Sequence, residues 1–247
     1  MRKACIVATA AFALIAGSAF ASEGAHHWGY TGDTGPAHWG SLKPEFEMCA
    51  KGVNQSPINL TNFIEAELPP ITFNYSGLAT EIVNNGHSIQ ANYTAGSTIT
   101  VAGKTFELKQ FHFHSPSENT INGQSFPMEA HFVHAAKDGS LAVIAVMFKI
   151  GPENEAIKKL WKQMPANAGD KIAMASQVKA DELLPKNRDY YRFNGSLTTP
   201  PCTEGVVWLV MKTPLTVSKE QVEQFQHVMH HPNNRPVQPV HARPVLQ

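Results

Sequence analysis

Two stretches of this 247-residue chain, LAVIAVMFKI at 141–150 and GVVWLVMK at 205–212, are almost unbroken apolar runs of strand length. A strand that is apolar on both faces finds cover only inside a sheet packed from both sides, so these runs belong in the middle of one. The surrounding sequence supplies its neighbours. Proline and glycine fall in short turns such as LPPITF, NNGHS and VAGKT, and no repeat, low-complexity tract or linker divides residues 22–247. The run SIQANYTAGSTITVAGKTFELKQFHFHS reads as a hairpin meander of β-branched and aromatic segments between glycine turns. Two stretches have helical period. PENEAIKKLWKQM opens with Pro152 and acids in its first turn and sets Ile157, Leu160, Trp161 and Met164 on one stripe. SKEQVEQFQHVMH opens with Ser218 and has Gln221 three residues on, a capping box. The expectation is a single, mainly β (α+β) domain with a few surface helices lying on its sheet.

The first 21 residues stand apart. Arg2 and Lys3 precede an apolar stretch from Ala4 to Gly17 and a small-x-small end at Ala19-Phe20-Ala21, the pattern of a signal peptide cleaved after Ala21. The apolar part is short for a membrane span, and Gly17 and Ser18 interrupt it. This reading gives a soluble mature chain of residues 22–247, periplasmic or secreted, with no membrane anchor. Cleavage takes two of the 20 basic residues and none of the 20 acids, so 18 face 20 and the formal charge is −2. No basic surplus remains to neutralise phosphates, which argues against nucleic acid as a partner. It also takes Cys5, leaving Cys49 and Cys202 of the three cysteines. An even pair in an exported chain is most simply a disulfide. Closing a loop of about 150 residues, it would stabilise the fold by ~4–5 kcal/mol on the chain-entropy model.

One strand candidate carries chemistry. In KQFHFHSPSEN, strand alternation turns His112 and His114 to one face and Phe111 and Phe113 to the other. Two imidazoles about 7 Å apart along a strand reach a common metal from one side, but zinc in a catalytic site needs a third protein ligand. PMEAHFVHAA offers candidates: Glu129, His131 and Val133 share one face, Phe132 and His134 the opposite one. A carboxylate two residues before a histidine is the kind of acceptor that orients a ligating imidazole. Spacing alone does not choose between His131 and His134.

Taken together, QFHFHSPSEN, MEAHFVH, NGSLTTPPCTEGVVW, NNGHS, GPAHWGSL and NQSPINL resemble an α-class carbonic anhydrase of the bacterial, exported type, from Trp28 to about Pro239. The resemblance implies a twisted, mostly antiparallel central sheet and one zinc ion per chain. His112, His114 and His131 stand where the family's ligands stand, with His134 structural. Gln110, Glu129 and the backbone carbonyl of Asn233 would orient the ligands. The implied reaction is reversible hydration of carbon dioxide to bicarbonate and a proton, by attack of zinc-bound hydroxide. Three neutral imidazoles leave zinc its charge, which brings the pKa of bound water to about 7; carbonic anhydrase is itself the standard illustration. Thr198 matches the gatekeeper, donating its proton to Glu118 so that it accepts from the hydroxide. Val133, Val143, Leu197, Val206 and Trp208 match the apolar wall for carbon dioxide, with Thr199 beside bicarbonate; on sequence alone those five are ordinary core positions. His87 matches the proton shuttle, and Tyr30, Asn85 and Gln90 the residues that order the connecting water. Cys49 and Cys202 match the disulfide of exported members. Bacterial members are often dimers, so the resemblance also admits a homodimer.

Three rival readings differ from this one. A weak or non-enzymatic relative of the same fold typically lacks a zinc histidine, whereas all three are present. Zinc storage is suggested by 12 histidines, with HHP at 230–232 and His26-His27, but these lack repeat spacing and read as surface solvation. A zinc esterase activity would be a side reaction of the same centre.

Overall fold

The computed structural model describes residues 27–175 and 177–247, so the signal peptide expected over 1–21 lies outside the described residues. Two short helices, α1 (Trp39–Leu42) and α2 (Met48–Lys51), lead into β1 (Asn59–Leu60), β2 (Thr72–Asn74), β3 (Ala79–Asn84), β4 (Ile89–Tyr93), β5 (Thr98–Val101) and β6 (Lys104–His114). Then follow β7 (Thr120–Ile121), β8 (Met128–Ala135), β9 (Leu141–Ile150), α3 (Glu155–Trp161) and β10 (Lys171–Ala173). The chain ends through β11 (Tyr190–Ser196), β12 (Glu204–Met211), β13 (Leu215–Val217) and α4 (Lys219–Met229).

Among the described residues, eleven strands join one sheet in the order β10-β3-β4-β6-β8-β9-β12-β11, with β13 added to β9, and with β5 on β6 carrying β2. All pairings in it are antiparallel except those of β9 with β12 and β13. The two apolar runs are therefore β9 and β12, parallel neighbours in the sheet interior, and residues 142–148 of β9 are buried without a break. That is the burial a parallel pair covered on both faces requires.

Two sequence expectations are altered in detail. The 88–115 run is not a simple meander. β5 and β6 form a hairpin through Ala102-Gly103, but β4 pairs with β6 rather than with β5. β4 and β5 lie one after the other along β6, because the chain bends rather than reverses between Tyr93 and Thr98. The helix expected from Pro152 begins only at Glu155, where the Asn154 side chain accepts from the Ala156 and Ile157 amides. It ends at Trp161, and Met164 packs against the core from outside the helix. The α4 capping box forms as read, with Ser218 and Gln221 bonding reciprocally.

Alternation divides the sheet into two unlike faces. Phe111, Phe113, Phe132, Ile144, Val146 and Phe148 belong to the larger apolar core, which α3 and α4 cover. Phe113 meets Trp161 edge-on at 5.0 Å, and Trp161 stacks on Phe225. The opposite face holds a smaller apolar cluster containing Val143, Ala145, Met147, Val206, Trp208 and Val210. Next to that cluster, the same face carries the histidines.

Candidate metal centre

Register does the assembling. β6 and β8 run antiparallel with His112 opposite His131 and His114 opposite Glu129. Directly opposed residues share a face, so a pair two apart on one strand and a single histidine on the next converge. Among the described residues, His112, His114 and His131 each offer a ring nitrogen within 4.8 Å of the others. His134, left open on sequence spacing, is on the other face. Its Nδ1 donates to Phe132 O at 2.8 Å, and its Nε2 accepts from Tyr75 Oη at 2.7 Å. Both its nitrogens are occupied, and burial holds its pKa down at about 4.

Each of the three converging rings is oriented from behind. His112 Nδ1 donates to Gln110 Oε1 at 2.8 Å, and His114 Nδ1 to the Asn233 carbonyl at 2.7 Å. Both are left with Nε2 as the free lone pair. His131 is turned the other way: its Nε2 is 2.9 Å from Glu129 Oε1, with the N–H off the line of a proper hydrogen bond. The distance matters more than the angle, since a carboxylate this close favours a proton on that nitrogen and leaves Nδ1 inward. Glu129 is itself fixed by the Glu118 and Asn119 amides at 2.7 and 2.9 Å and by Asn119 Nδ2 at 2.8 Å. Burial lowers the pKa of all three histidines, and for His112 and His131 the neighbouring imidazoles lower it further. Neutral imidazole is the form that ligates a metal.

Beside them lies Glu118, fully enclosed, its pKa pushed up to about 8 by burial despite the Arg235 amide that donates to Oε1 at 2.8 Å. The Thr198 hydroxyl also pulls that pKa down, yet its approach falls short of a full hydrogen bond. Glu118 Oε2 and His114 Nε2 are both buried without a hydrogen-bond partner, and they lie 3.5 Å apart. Glu118 Oε2 is also 3.8 Å from His131 Nδ1. Lone pairs left unpaired in one enclosed spot cost free energy unless something electropositive meets them. A zinc ion with three imidazole ligands and an open position fits that donor set.

The other expected site residues sort as follows. Val143, Val206 and Trp208 are buried in the smaller cluster, with Val133 and Leu197 packed against it. The Trp208 and His131 rings meet edge to face at 4.9 Å, so this apolar wall adjoins the histidines. Thr199 is half-buried beside Thr198. Gln90 is opposite His112 in register and accepts from Asn85 Nδ2 at 3.2 Å. Tyr30 is edge-on to Trp28 and Trp39, and burial and the charge of Glu118 raise its pKa. His87 stacks on Trp28 at 3.6 Å, and its pKa is lowered to about 4, by burial first and by His27 and His231 next. Cys49 and Cys202 are bonded, S–S 2.05 Å.

Sequence reasoning missed Asn119 and Arg235. Asn119 sits within the SPSEN motif, beside the quoted Glu118, but its pairing with Glu129 is not written in the local sequence. Arg235 is buried. Its Nη1 donates to Gln55 Oε1 and the Ser56 carbonyl, and its Nη2 to the Cys49 carbonyl at 3.0 Å. It thereby ties the segment holding the Glu118 donor to the disulfide.

Known proteins resemble this chain over most of its length. Residues 34–247 match the family model described as eukaryotic-type carbonic anhydrase. The chain is 50% identical over 238 residues to the carbonic anhydrase of Neisseria gonorrhoeae, covering 95% of this chain and 94% of that one. To the carbonic anhydrase of Pectobacterium carotovorum it is 48% identical over 220 residues, 89% and 90% of the two chains. The structure of the Thermovibrio ammonificans α-carbonic anhydrase, solved with the inhibitor sulfanilamide, superposes with a TM-score of 0.89 at 50% identity. That match covers 91% of this chain and all of the other. With that family match, relatives half identical over nearly their whole length and a three-histidine centre that fits zinc, this chain belongs to the α-carbonic anhydrases, zinc enzymes that hydrate carbon dioxide.

Proposed function

We propose that His112, His114 and His131 hold the zinc and that the residues around them divide the work of carbon dioxide hydration. The observation that carries this is the trio of converging nitrogens, each backed by a separate acceptor: Gln110, the Asn233 carbonyl and Glu129. Zinc bound there supplies a Lewis acid that lowers the pKa of water to about 7, the effect for which this family is the standard illustration. The chain's part is to keep three imidazoles neutral and inward-facing. Glu118 accepts the Thr198 proton, so the Thr198 oxygen is left to accept from the nucleophile and to aim it; a hydroxyl has one proton to give. A cation held by the three histidines would offset the burial that raises the Glu118 pKa. Val133, Val143, Leu197, Val206 and Trp208 offer apolar surface to an apolar substrate, and Thr199 a hydroxyl to bicarbonate.

His87 carries the released proton outward, along water ordered by Tyr30, Asn85 and Gln90. Asn85 supports this by accepting the His87 and Ser88 amides at 2.9 and 2.8 Å, which fixes the turn. The signal peptide, the disulfide and the bacterial relatives support export to the periplasm; no helix among the described residues is long and apolar enough to cross a membrane. The homodimer frequent among bacterial members belongs to the same reading, and sedimentation of the mature chain checks it.

The deciding experiment is zinc analysis with stopped-flow hydration on one sample of mature protein. One zinc per chain with rapid, chelator-sensitive hydration is expected. One zinc with no hydration would sink the assigned roles of Thr198 and Glu118 while leaving the ligands.

A further inference from the structure

The histidines at 27 and 230–231, which the metal centre leaves unused, gather at one place. His87 lies on the turn after β3, with its ring stacked on Trp28 and 5.0 Å from that of His27. Asn233 Nδ2 donates to the His87 carbonyl at 2.9 Å, which ties this turn to the segment after α4. The Tyr30 ring is near both, 6.4 Å from His87 and 5.9 Å from His231. His231 Nδ1 is 3.0 Å from the Pro232 carbonyl. A carbonyl only accepts, so Nδ1 holds the proton and Nε2 keeps a lone pair. Beside His231 is a cavity of about 290 Å³, lined by His230 and His231 and by Asn84 and Gly86 of the His87 turn. That volume admits several waters.

We propose that His231 is a second proton station, which takes the proton from His87 and releases it to water in the adjoining cavity. This rests on the reading of His87 as the shuttle and extends it by one step. The proton arrives on His231 Nε2 as it leaves His87, and leaves His231 for solvent, so no other reactant is needed. The stacked, half-buried ring of His87 is a poor resting place for charge, with burial and the nearby His27 and His231 holding its pKa at about 4. A proton reaching it is passed on readily, and a neighbour that lines a cavity gives it a way out. The titratable groups around His231 are His87, His27 and Tyr30 across the gap and His230 on its own segment, with His227 a turn back, 6.3 Å from His230.

The test uses the mature, zinc-loaded chain in weak buffer, comparing His231→Ala, His87→Ala and the double variant. His231→Ala should lower kcat several-fold, less than His87→Ala, without moving kcat/KM for carbon dioxide, and added imidazole should restore it. The double variant should be no slower than His87→Ala, because the two act in series. Nitrogen NMR should show His231 protonated on Nδ1 in the neutral form; protonation on Nε2 instead would overturn the proposal. So would a His231→Ala variant with unchanged buffer dependence while His87→Ala is slow, an outcome that leaves the His87 shuttle standing. Losses that multiply in the double variant would make His231 an independent carrier and overturn the series order. A His87→Ala variant with normal buffer dependence would remove the shuttle reading and this extension together.

Discussion

The two faces of β6 and β8 are made by alternate residues of the same two strands, and they are held together by different physics. On one face Phe111, Phe113 and Phe132 pack into a continuous apolar core where each ring has several neighbours and no direction is critical. On the other, His112, His114 and His131 each have one specific acceptor behind the ring, and Glu129, the one behind His131, is itself held by three donors. The first face stabilises the fold in proportion to the area it buries. The second costs desolvation, and contributes by aiming lone pairs. The rigid apolar side fixes the strand register, and register is what sets His112 against His131. A metal site on loops would lack that constraint.

The largest effect expected falls on the polar face. His114→Ala should abolish zinc retention and hydration together while leaving the circular dichroism of the sheet intact, since the Phe face still packs. A variant retaining one tightly bound zinc would remove His114 from the ligand set. On the other face, Phe113→Ala should do the reverse. It removes a ring packed between Trp161, Phe148 and Phe225, at a cost of about 3–5 kcal/mol in unfolding free energy. The protein that remains folded should keep its zinc stoichiometry and most of its activity per zinc. Urea melts with zinc analysis at each point separate the two losses; equal loss of affinity in both variants would break the distinction between faces.

His134 sharpens it. It is a histidine buried on the apolar face, with a folded pKa of about 4 against an unfolded value near 6.5. Because its folded pKa is depressed, the unfolded chain binds the extra proton between these values, so stability falls as pH drops through that window. The loss tends to ~3 kcal/mol at pH 4. His134→Gln should therefore show a smaller difference between its urea midpoints at pH 7 and pH 4.5 than wild type. An unchanged difference would mean the acid sensitivity resides with the other buried histidines.

Much of this was readable beforehand, for identifiable reasons. The period-2 alternation in FHFH and EAHFV forces faces whatever the tertiary structure, and the unbroken apolar runs force interior strands. The choice of His131 over His134 was not in the spacing, because it depends on which neighbour β8 finds, and pairing across sequence separations is not written locally. The bend that lays β4 and β5 end to end along β6 was missed for the same reason: glycine marks a change of direction without saying how far the chain turns. Arg235 was missed because its partners, Cys49, Gln55, Ser56 and Glu118, are all more than a hundred residues away. Asn119 is a different case, adjacent to a quoted glutamate but with a role visible only once β8 is in place.

The smallest effect tests whether aiming, rather than holding, is what the polar face does behind the ligands. Glu129→Gln keeps the size but removes the charge that faces His131 Nε2 at 2.9 Å, and it turns the oxygen there, which also accepts from Asn119 Nδ2, into an NH2 donor. The Glu118 and Asn119 amides can still donate to the remaining oxygen, so the loop should stay in place. Loss of the charged acceptor behind a ligating imidazole costs about 10–100-fold in metal affinity, or ~1.4–2.8 kcal/mol at 1.4 kcal/mol per factor of ten. Competition with a chelator of known affinity measures it directly. The change should come chiefly from faster zinc dissociation, because neutral His131 holds its Nδ1 lone pair less firmly in the ligating direction once the carboxylate is gone. Unfolding free energy of the zinc-free chain should move little, since relief of the buried Glu129 charge, whose pKa burial raises, offsets the acceptor lost to Asn119 Nδ2. A zinc-free chain destabilised as much as Phe113→Ala would show instead that Glu129 holds the fold together, and that the two faces differ less than their contacts suggest.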